Sequence, residues 1–337
     1  MRPAIFCAWL LGLGLIVAMV LAQDTAKIGA ALATAGWSAA ALGFPYLGTL
    51  VADALGWQAL LRRPPALSSL LVKRWISSSI NGLLPVGQVG GDFVRARLLA
   101  LSGTPGPTAG ASVVVDATLG LLTQLAFAIL GLMLLLRHLG HASEVLPMVA
   151  GLGLFGLLLA GFAAVQHRGL FSLLVRPLHR LAKSPTWRGL IGSAAALDAE
   201  VRACYRDRRA LARCAFWRAV AWLVGGVEVW VAFLVLGRPV ELSEAMILES
   251  MGIVMRSAGF VIPGGLGVQE GGILAAGIWL GLPPEIVLST ALLKRAREVV
   301  FGLPALVVWS YLDGFGRRAR LPEPGPVSAQ VGDRGAR

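Results

Sequence analysis

Charged residues are scarce in this sequence. Asp, Glu, Lys and Arg make up only 14% of its 337 residues, whereas 56% are apolar. A soluble domain has about 25% charged residues. Since so few charges cannot cover the surface of a globule of this length, the composition argues against a soluble enzyme. It favours a polytopic membrane protein, whose outer surface can be as apolar as its core.

Metal, redox and nucleotide motifs are also scarce. The three cysteines, Cys7, Cys204 and Cys214, have no metal-ligand spacing and indicate no disulfide framework. The sequence has no P-loop, and the glycines at 265 and 267 lack the third glycine of a dinucleotide fingerprint. We therefore expect neither a metal nor a cofactor.

Six long apolar runs predict membrane-spanning helices. The first, residues 5–22, holds no charge and is long enough to cross a bilayer. A cleaved signal peptide is the alternative for this run, because Arg2 precedes it and Ala22 ends it. Its length and the spanning segment that follows favour an uncleaved helix. The other predicted spans lie at about 36–61, 108–136, 145–165, 216–236 and 284–311.

Two further apolar stretches are interrupted in the middle. Residues 75–101 and residues 243–282 each contain a proline and several glycines, which break helices. We interpret each stretch as two half-helices around a turn, that is, a re-entrant hairpin; one kinked helix that crosses fully is the alternative in each case. The predicted turns consist of Pro85, Gly90 and Gly91 in the first stretch and of Pro263, Gly264, Gly265 and Gly267 in the second.

The basic charge is concentrated between the predicted fourth and fifth spans. Residues 166–214 hold ten Lys or Arg and three acids, which gives +7 of the chain's net +12. Because Lys and Arg accumulate in cytoplasmic loops, we expect this segment to be an amphipathic loop at the inner membrane surface, with both termini on that side. The first hairpin then enters from the cytoplasm and the second from outside. With the charge placed at the membrane, we expect no nucleic-acid partner.

The two interrupted stretches also correspond to each other. At an offset of 178 residues, Pro85 aligns with Pro263 and Asp92 with Glu270, and a Gly-x-Pro sequence and a spanning segment follow in both stretches. One hairpin entering from each side predicts two inverted-topology repeats. The predicted order is a first repeat at 1–136, an external loop and fourth span at 137–165, the basic loop at 166–214, the rest of the second repeat at 215–316, and a flexible cytoplasmic tail at 317–337.

Ionisable side chains inside the apolar stretches predict a functional site. An unpaired charge at the bilayer centre costs about 3 kcal/mol or more, so these side chains should face the protein interior. In the last span Lys294, Arg297 and Glu298 share one helical face; a self-neutralising structural cluster or a snorkelling helix end is the alternative. Because the repeat offset places Lys294 opposite Asp116, we predict that these two form a buried pair. The whole set comprises Asp53, Asp116, Glu228, Glu249, Arg256, Glu270, Lys294, Arg295, Arg297 and Glu298.

Two motifs resemble those of a known family. One is Asn81 to Pro85 with Gly90-Gly91-Asp92 and Arg95, and the other is Arg256 with residues 262–270. They are similar to the two signature motifs of the lysylphosphatidylglycerol synthase transmembrane-domain family, also called flippase-like, and the resemblance covers about residues 5–311. Within the family, the sequence is most similar to the branch associated with hopanoid biosynthesis.

The resemblance implies lipid translocation in a bacterial inner (cytoplasmic) membrane. The soluble aminoacyltransferase domain of the family's aminoacyl-lipid branch is absent from this sequence, so we expect the chain not to be an enzyme. An all-α membrane protein with about six spanning helices and two re-entrant hairpins would move a polar-headed lipid, a hopanoid or an aminoacyl phospholipid, between leaflets by alternating access.

The candidate substrate-binding residues lie in the hairpins and the last span. The alternative function is an intramembrane enzyme or an accessory protein that modifies or hands over a lipid head group, with Glu270 or Asp92 as general base. The expected partners are membrane lipids and lipid-biosynthesis enzymes. The candidate binding residues are Asn81, Asp92, Arg95, Arg256, Glu270, Lys294 and Arg297.

Overall fold

A computed structural model describes residues 3–84, 89–139, 153, 156–157, 161, 164, 166, 185–260 and 262–318. Every regular element in this part of the chain is helical. Two 3₁₀ segments, Gly36–Leu42 and Pro263–Gly265, connect α-helices. The α-helices are α1 (Pro3–Leu21), α2 (Thr25–Ala35), α3 (Gly43–Ala59), α4 (Leu67–Leu83), α5 (Gly90–Leu101), α6 (Gly106–Leu139), α7 (Pro185–Arg206), α8 (Arg208–Val235), α9 (Leu242–Ala258), α10 (Val268–Trp279) and α11 (Pro284–Arg318).

The chain is an all-α membrane protein, as the composition predicts. In the described ranges, three helical stretches are long and apolar enough to cross a bilayer: Thr25–Ala59, Gly106–His138 and Arg208–Val235. They correspond to the spans predicted at 36–61, 108–136 and 216–236. Helices α1 and α11 cover the spans predicted at 5–22 and 284–311. The span predicted at 145–165 lies largely outside the described residues.

Each interrupted stretch forms two separate helices, not one kinked helix. Helix α4 packs against α5, and α9 packs against α10. Helices α5 and α10 have 12 residues each, about 18 Å at 1.5 Å per residue, which is too short to cross a hydrocarbon core of about 30 Å. The first pair begins at Leu67, eight residues before the predicted start at 75. Placement in a bilayer, and therefore re-entry, stays a prediction.

Only part of the predicted turns lies in the described residues. Pro85 falls outside them, whereas Gly90 and Gly91 begin α5. In the second turn, Gly264, Gly265 and Gly267 adopt φ values of 61°, 64° and 77°. This left-handed region is open to glycine at no steric cost, which explains why the second break is built from glycines.

Helices α3–α6 and α8–α11 repeat the same order of elements. Helices α4 and α9 have 17 residues each, and α5 and α10 begin at Gly90 and Val268, 178 residues apart. The contacts correspond as well: α4 packs on α11 as α9 packs on α6, and α3 packs on α8. This is the contact pattern expected of two halves related by a two-fold axis. Their inverted placement in a membrane stays a prediction.

Apolar contacts hold each half together. In the first half, Trp57 of α3, Leu70 of α4 and Leu99 of α5 are fully buried in one cluster. In the second half, Leu248 of α9 and Ile273 of α10 occupy a cluster that also includes residues of α6, α8 and α11. Because lipid tails are as apolar as these side chains, close van der Waals packing holds such helices together in a membrane. The polar cavities described below lie beside these apolar clusters.

The described part of the basic segment 166–214 is helical. Helix α7 packs against α6 and buries Asp198 and Val201. Helix α8 begins at Arg208, eight residues before the predicted span at 216. Asp207 caps α8, because its Oδ1 accepts a hydrogen bond from the Ala210 N–H at 3.0 Å. The segment from 185 onward is therefore packed on the protein, and residues 167–184 lie outside the described residues.

Candidate functional site

Ionisable side chains inside the helical body form two clusters. The first cluster lies between α3, α4, α5, α6 and α8, and the second lies between α8, α9, α10 and α11. The first cluster comprises Asp53, Arg74, Asp92, Arg95, Asp116 and Arg218. The second comprises Glu228, Glu249, Arg256, Glu270, Lys294, Arg295, Arg297 and Glu298.

Asp116 of α6 is the centre of the first cluster. Its fully buried carboxylate accepts hydrogen bonds from Arg95 Nη1 at 2.6 Å and from Arg74 Nη1 at 3.3 Å. Arg218 Nε of α8 lies 3.6 Å from its other oxygen. One carboxylate therefore ties together four helices, and three arginines balance the three aspartates of the cluster.

Arg95 is held from three directions. Its Nε donates to Asp92 Oδ1 at 2.9 Å, one turn earlier on α5. Its guanidinium lies over the Trp57 ring, 5.0 Å from the centroid. With the bond to Asp116, these contacts fix a fully buried cation whose plane and fork geometry only arginine supplies.

The second cluster consists of ion pairs, and one of its carboxylates is shared by two arginines. Arg297 donates to Glu228 at 2.7 Å and lies over the Tyr46 ring at 4.3 Å. Glu298 accepts from Arg256 at 3.0 Å and from Arg295 at 2.6 Å. Lys294 pairs with Glu249 of α9.

Glu270 is committed to the backbone of the second break. Its carboxylate accepts the Gly267 N–H at 2.7 Å, which completes a cap at the start of α10. Arg295 of α11 lies 2.6 Å from the same carboxylate and donates to the Gly264 carbonyl at 3.2 Å. Both contacts fix the shape of the turn, so this residue acts as a positioning group for the second break.

The predicted pair between Asp116 and Lys294 is wrong. Asp116 is surrounded by three arginines of the first cluster, and Lys294 pairs with Glu249 of the second. The repeat offset correctly relates the helices of one half to those of the other half. Asp116 and Lys294, however, each pair with residues of their own cluster. The interpretation of Lys294, Arg297 and Glu298 as one helical face holds, although their partners come from α8 and α9 as well as α11.

Two adjoining cavities lie between the halves. The larger has a volume of about 330 Å³ and the smaller about 270 Å³. Arg74, Asn81 and Gln124 line both cavities. The larger cavity faces the second cluster through Glu249, Lys294, Arg297 and Glu298. The smaller faces the first cluster through Asp53, Asp92, Arg95 and Arg218.

The break of the first hairpin borders these cavities, because Leu83 lines the larger and Val89 the smaller. Asn81 Oδ1 accepts the Gly91 N–H at 2.7 Å, which closes the first break across the gap between α4 and α5. A Cβ on Gly91 would lie 2.1 Å from the Ser77 carbonyl oxygen. Only glycine therefore lets α5 approach α4 closely enough for this bond.

Six of the seven predicted binding residues line a cavity. Asn81, Asp92 and Arg95 line the smaller one, and Asn81, Arg256, Lys294 and Arg297 line the larger. Glu270 instead holds the second break.

Sequence reasoning missed two arginines of the first cluster. Arg74 is one of the basic residues flanking the first hairpin. Arg218 follows the basic segment 166–214 and lies two residues inside the predicted span at 216–236. A charge inside a predicted span was the sequence feature that could have identified it as a buried residue. Among the described residues, no three His, Cys, Asp or Glu side chains lie where they could hold a metal ion.

Comparison with known families gives one match. Residues 9–305 match the family model described as the lysylphosphatidylglycerol synthase TM region. No curated protein and no solved structure matches the chain significantly.

Proposed function

We propose that this chain, which belongs to the lysylphosphatidylglycerol synthase TM-region family, moves a polar-headed lipid between the leaflets of a membrane. Membership of the family supports a role in lipid metabolism or transport. The observation that carries the proposal is the pair of polar cavities between two broken helical elements inside an otherwise apolar body.

The broken helices support transport because backbone polar groups at membrane depth need partners. Non-helical backbone persists in a bilayer only where it is buried in protein or lines a wet cavity. Broken helices in corresponding positions of two halves are typical of transporters. Here Asn81, Gly82 and Leu83, at the end of α4, line the larger cavity.

The cavity chemistry suits a head group and not a hydrocarbon tail. Four cations and three carboxylates face the larger cavity. Arg256 and Arg297 would donate to phosphate, carboxylate or hydroxyl oxygens, and Asn81 and Gln124 would exchange hydrogen bonds with hydroxyl or amine groups. The hydrocarbon tails would stay in the bilayer. This division fits a lipid whose head group crosses through protein.

Two halves that meet at the cavities support alternating access. Helix α3 packs on α8, and each hairpin packs on the last helix of the other half. Rocking of one half against the other about this contact would open the cavities to one leaflet at a time. In this proposal the halves are inverted-topology repeats, and the basic segment 166–214 faces the cytoplasm.

The cargo we propose is a lipid with a polar or zwitterionic head group, such as a hopanoid or an aminoacyl phospholipid, in a bacterial inner membrane. Lipid-biosynthesis enzymes would supply this cargo. We propose transport without chemical change, since the charged groups in the cavities are paired with one another. Paired charges of this kind can bind a head group, whereas catalysis would need a nucleophile next to a general base.

A reconstitution experiment tests this function. The purified full-length chain is placed in liposomes that carry fluorescent lipids with different head groups, and exchange is measured by quenching of the outer leaflet. Exchange above that of protein-free liposomes, with the lipid chemically unchanged, is expected. A modified lipid would instead support the enzyme, and no exchange with any head group would reject transport.

A matched pair of variants ties exchange to the cavity. Arg297→Gln removes a cation that would donate to the head group in the larger cavity and should reduce exchange per folded molecule at least tenfold. Arg238→Gln makes the same change at an exposed site between α8 and α9 and should leave exchange unchanged. Equal exchange by both variants would place the pathway elsewhere.

A further inference from the structure

Lys294 differs from the other cations that face the two cavities. Among the described residues lining them, the remaining cations are Arg74, Arg95, Arg218, Arg256 and Arg297. An arginine keeps its proton in proteins and holds a carboxylate with a fixed fork of donors. A lysine is a point charge on a flexible stem and lacks the rigid fork through which an arginine holds a carboxylate with two donors.

Glu249 has the partner that is easiest to displace. Asp53, Asp116 and Glu298 are each shared by two or more arginines. Glu228 accepts two contacts from one arginine, Arg297 Nε at 2.9 Å and Nη2 at 2.7 Å. Glu249 is held by the ammonium of Lys294 through Oε2.

The pair is buried yet borders the larger cavity. Both side chains are more than nine-tenths buried, and both line the cavity. The second carboxylate oxygen of Glu249, Oε1, faces Gly225 of α8, where a Cβ would lie 3.1 Å away. Gly225 also lines the cavity, so this oxygen lies at the cavity wall.

The other charged and titratable groups around the pair are held by their own partners or lie at the cavity wall. Helix α10 contributes Glu270, which is bonded to Arg295. Helix α6 contributes to the cavity wall Gln124, which does not titrate. The remaining ionisable groups that line the same cavity are Glu228 of α8, Tyr46 of α3, Arg74 of α4, Arg256 of α9, and Arg297 and Glu298 of α11.

We propose that Glu249 takes up one proton when an anionic group of a lipid head, such as the phosphodiester of an aminoacyl phospholipid, binds to Lys294, so that lipid binding is coupled to a proton. Lys294, Arg256 and Arg297 present cationic donors at the cavity wall, where an anionic group can accept hydrogen bonds. Its oxygens would accept from the Lys294 ammonium in place of Glu249. The Glu249 carboxylate then loses its cation while it stays buried, and a buried unpaired carboxylate is neutralised by a proton.

The step balances in charge and atoms. One anion enters the cavity, one proton from cavity water binds Glu249, and Lys294 stays an ammonium. The loaded cavity therefore carries the same net charge as the empty one. This inference rests on the proposed function only for its physiological meaning, because anion binding with proton uptake can be measured without transport.

Proton uptake on binding tests the inference directly. The purified full-length chain in neutral detergent and weak buffer is mixed with short-chain phosphatidylglycerol, whose phosphodiester stays a monoanion from pH 5 to 9. A pH indicator should record about one proton taken up for each lipid bound, and the affinity should rise up to about tenfold for each unit that the pH falls. Dimethyl phosphate, in a parallel arm, separates a free phosphodiester from one carried by a lipid. Binding of either probe without proton uptake, or no binding of either, overturns the proposal.

Three variants assign the proton to Glu249. Glu249→Gln imitates the protonated form, so it should still bind the lipid but take up no proton, and its affinity should be flat with pH. Glu249→Asp keeps a titratable carboxyl and should restore uptake. Glu285→Gln makes the same change at the start of α11, where the carboxylate pairs with Lys27 and lines neither of the two cavities, and serves as the matched control. Proton uptake by a folded Glu249→Gln overturns the proposal, and so does its loss in Glu249→Asp.

The outcomes separate this inference from the proposed function. Lipid exchange in liposomes together with pH-independent binding retains transport and rejects proton coupling. Coupled proton uptake in detergent without exchange in liposomes retains proton coupling and rejects transport.

Discussion

Gly82 and Gly264 bring the breaks of the two halves into direct contact. A Cβ on Gly264 would lie 2.2 Å from the Gly82 carbonyl oxygen. Gly82 lies in the last turn of α4, and Gly264 lies in the turn before α10. The two hairpins, whose helices the sequence predicts to be broken, are therefore in contact beside the cavities. A movement of one half would displace the other half through this contact.

Replacement of Gly264 should destabilise the protein strongly. Gly264→Ala combines a φ of 61° with a clash against the Gly82 backbone, and the backbone term alone costs about 1–2 kcal/mol. We expect a clear drop in the melting temperature of the purified protein and loss of lipid exchange. Gly237→Ala isolates the clash, because Gly237 also has a positive φ, 69°, but nothing lies within 4 Å of its Cβ position. Equal losses in both variants would show that the contact itself contributes nothing.

Removal of the Asp116 charge should destabilise the first cluster. Asp116→Asn leaves Arg95 and its neighbours buried with too few anions, a change that costs about 3–5 kcal/mol when a buried pair is broken. Unfolding in increasing SDS would measure the loss. Asp207→Asn removes a carboxylate of the same type but keeps a good helix cap for α8, so its stability should stay near that of the parent chain. A fully stable Asp116→Asn variant would mean that the cluster is not held together by this carboxylate.

The sequence predicted the elements better than it predicted the pairs. The helix breaks, the repeat offset and most charged residues of the cavities follow from proline, glycine and charge placed in apolar runs, because each of these signals is local. The partner of Lys294 does not follow, because α9 brings Glu249 to it across the protein. A charge exchange, Asp116→Lys with Lys294→Asp, should therefore restore nothing that either single variant loses.

Arg218 shows a second limit of sequence reasoning. It lies near the start of a predicted span, where an arginine is typical of a cytoplasmic helix end. The structure instead turns it inward to Asp53 at 2.5 Å, and Gly120 leaves the room, since a Cβ there would lie 2.1 Å from the Arg218 guanidinium. The packing of all the helices decides which face of α8 contacts its neighbours. The residues around Arg218 in the sequence therefore do not show that its side chain points inward.

Glu270 and Arg297 should behave differently on substitution, although the sequence places both in the binding site. Glu270→Gln removes an ion pair with Arg295 and weakens the cap of α10, so it should lower the melting temperature. Exchange per folded molecule should stay close to that of the parent chain, whereas Arg297→Gln should lose exchange per folded molecule in addition to the stability that its buried pair with Glu228 provides. Loss of exchange in a stable Glu270→Gln protein would show that Glu270 takes part in lipid binding, as the sequence predicts.

The inverted arrangement of the halves predicts opposite sides for two exposed loops. The loop after α5 contains Ser102, and the loop after α8 contains Arg238; both residues are exposed. If the first hairpin enters from the cytoplasm and the second from outside, Ser102→Cys should react with an impermeant maleimide only after the cells are opened. Arg238→Cys should react in intact cells. Both variants need a chain whose Cys7, Cys204 and Cys214 are replaced by alanine, and that parent chain is the control for background labelling. Because a hairpin returns to the side from which it entered, a fully crossing element in the first half would move Ser102 to the other side, whereas Arg238 precedes the second hairpin and reports the side from which that hairpin enters. Labelling of both cysteines from one side would therefore reject the inverted repeats.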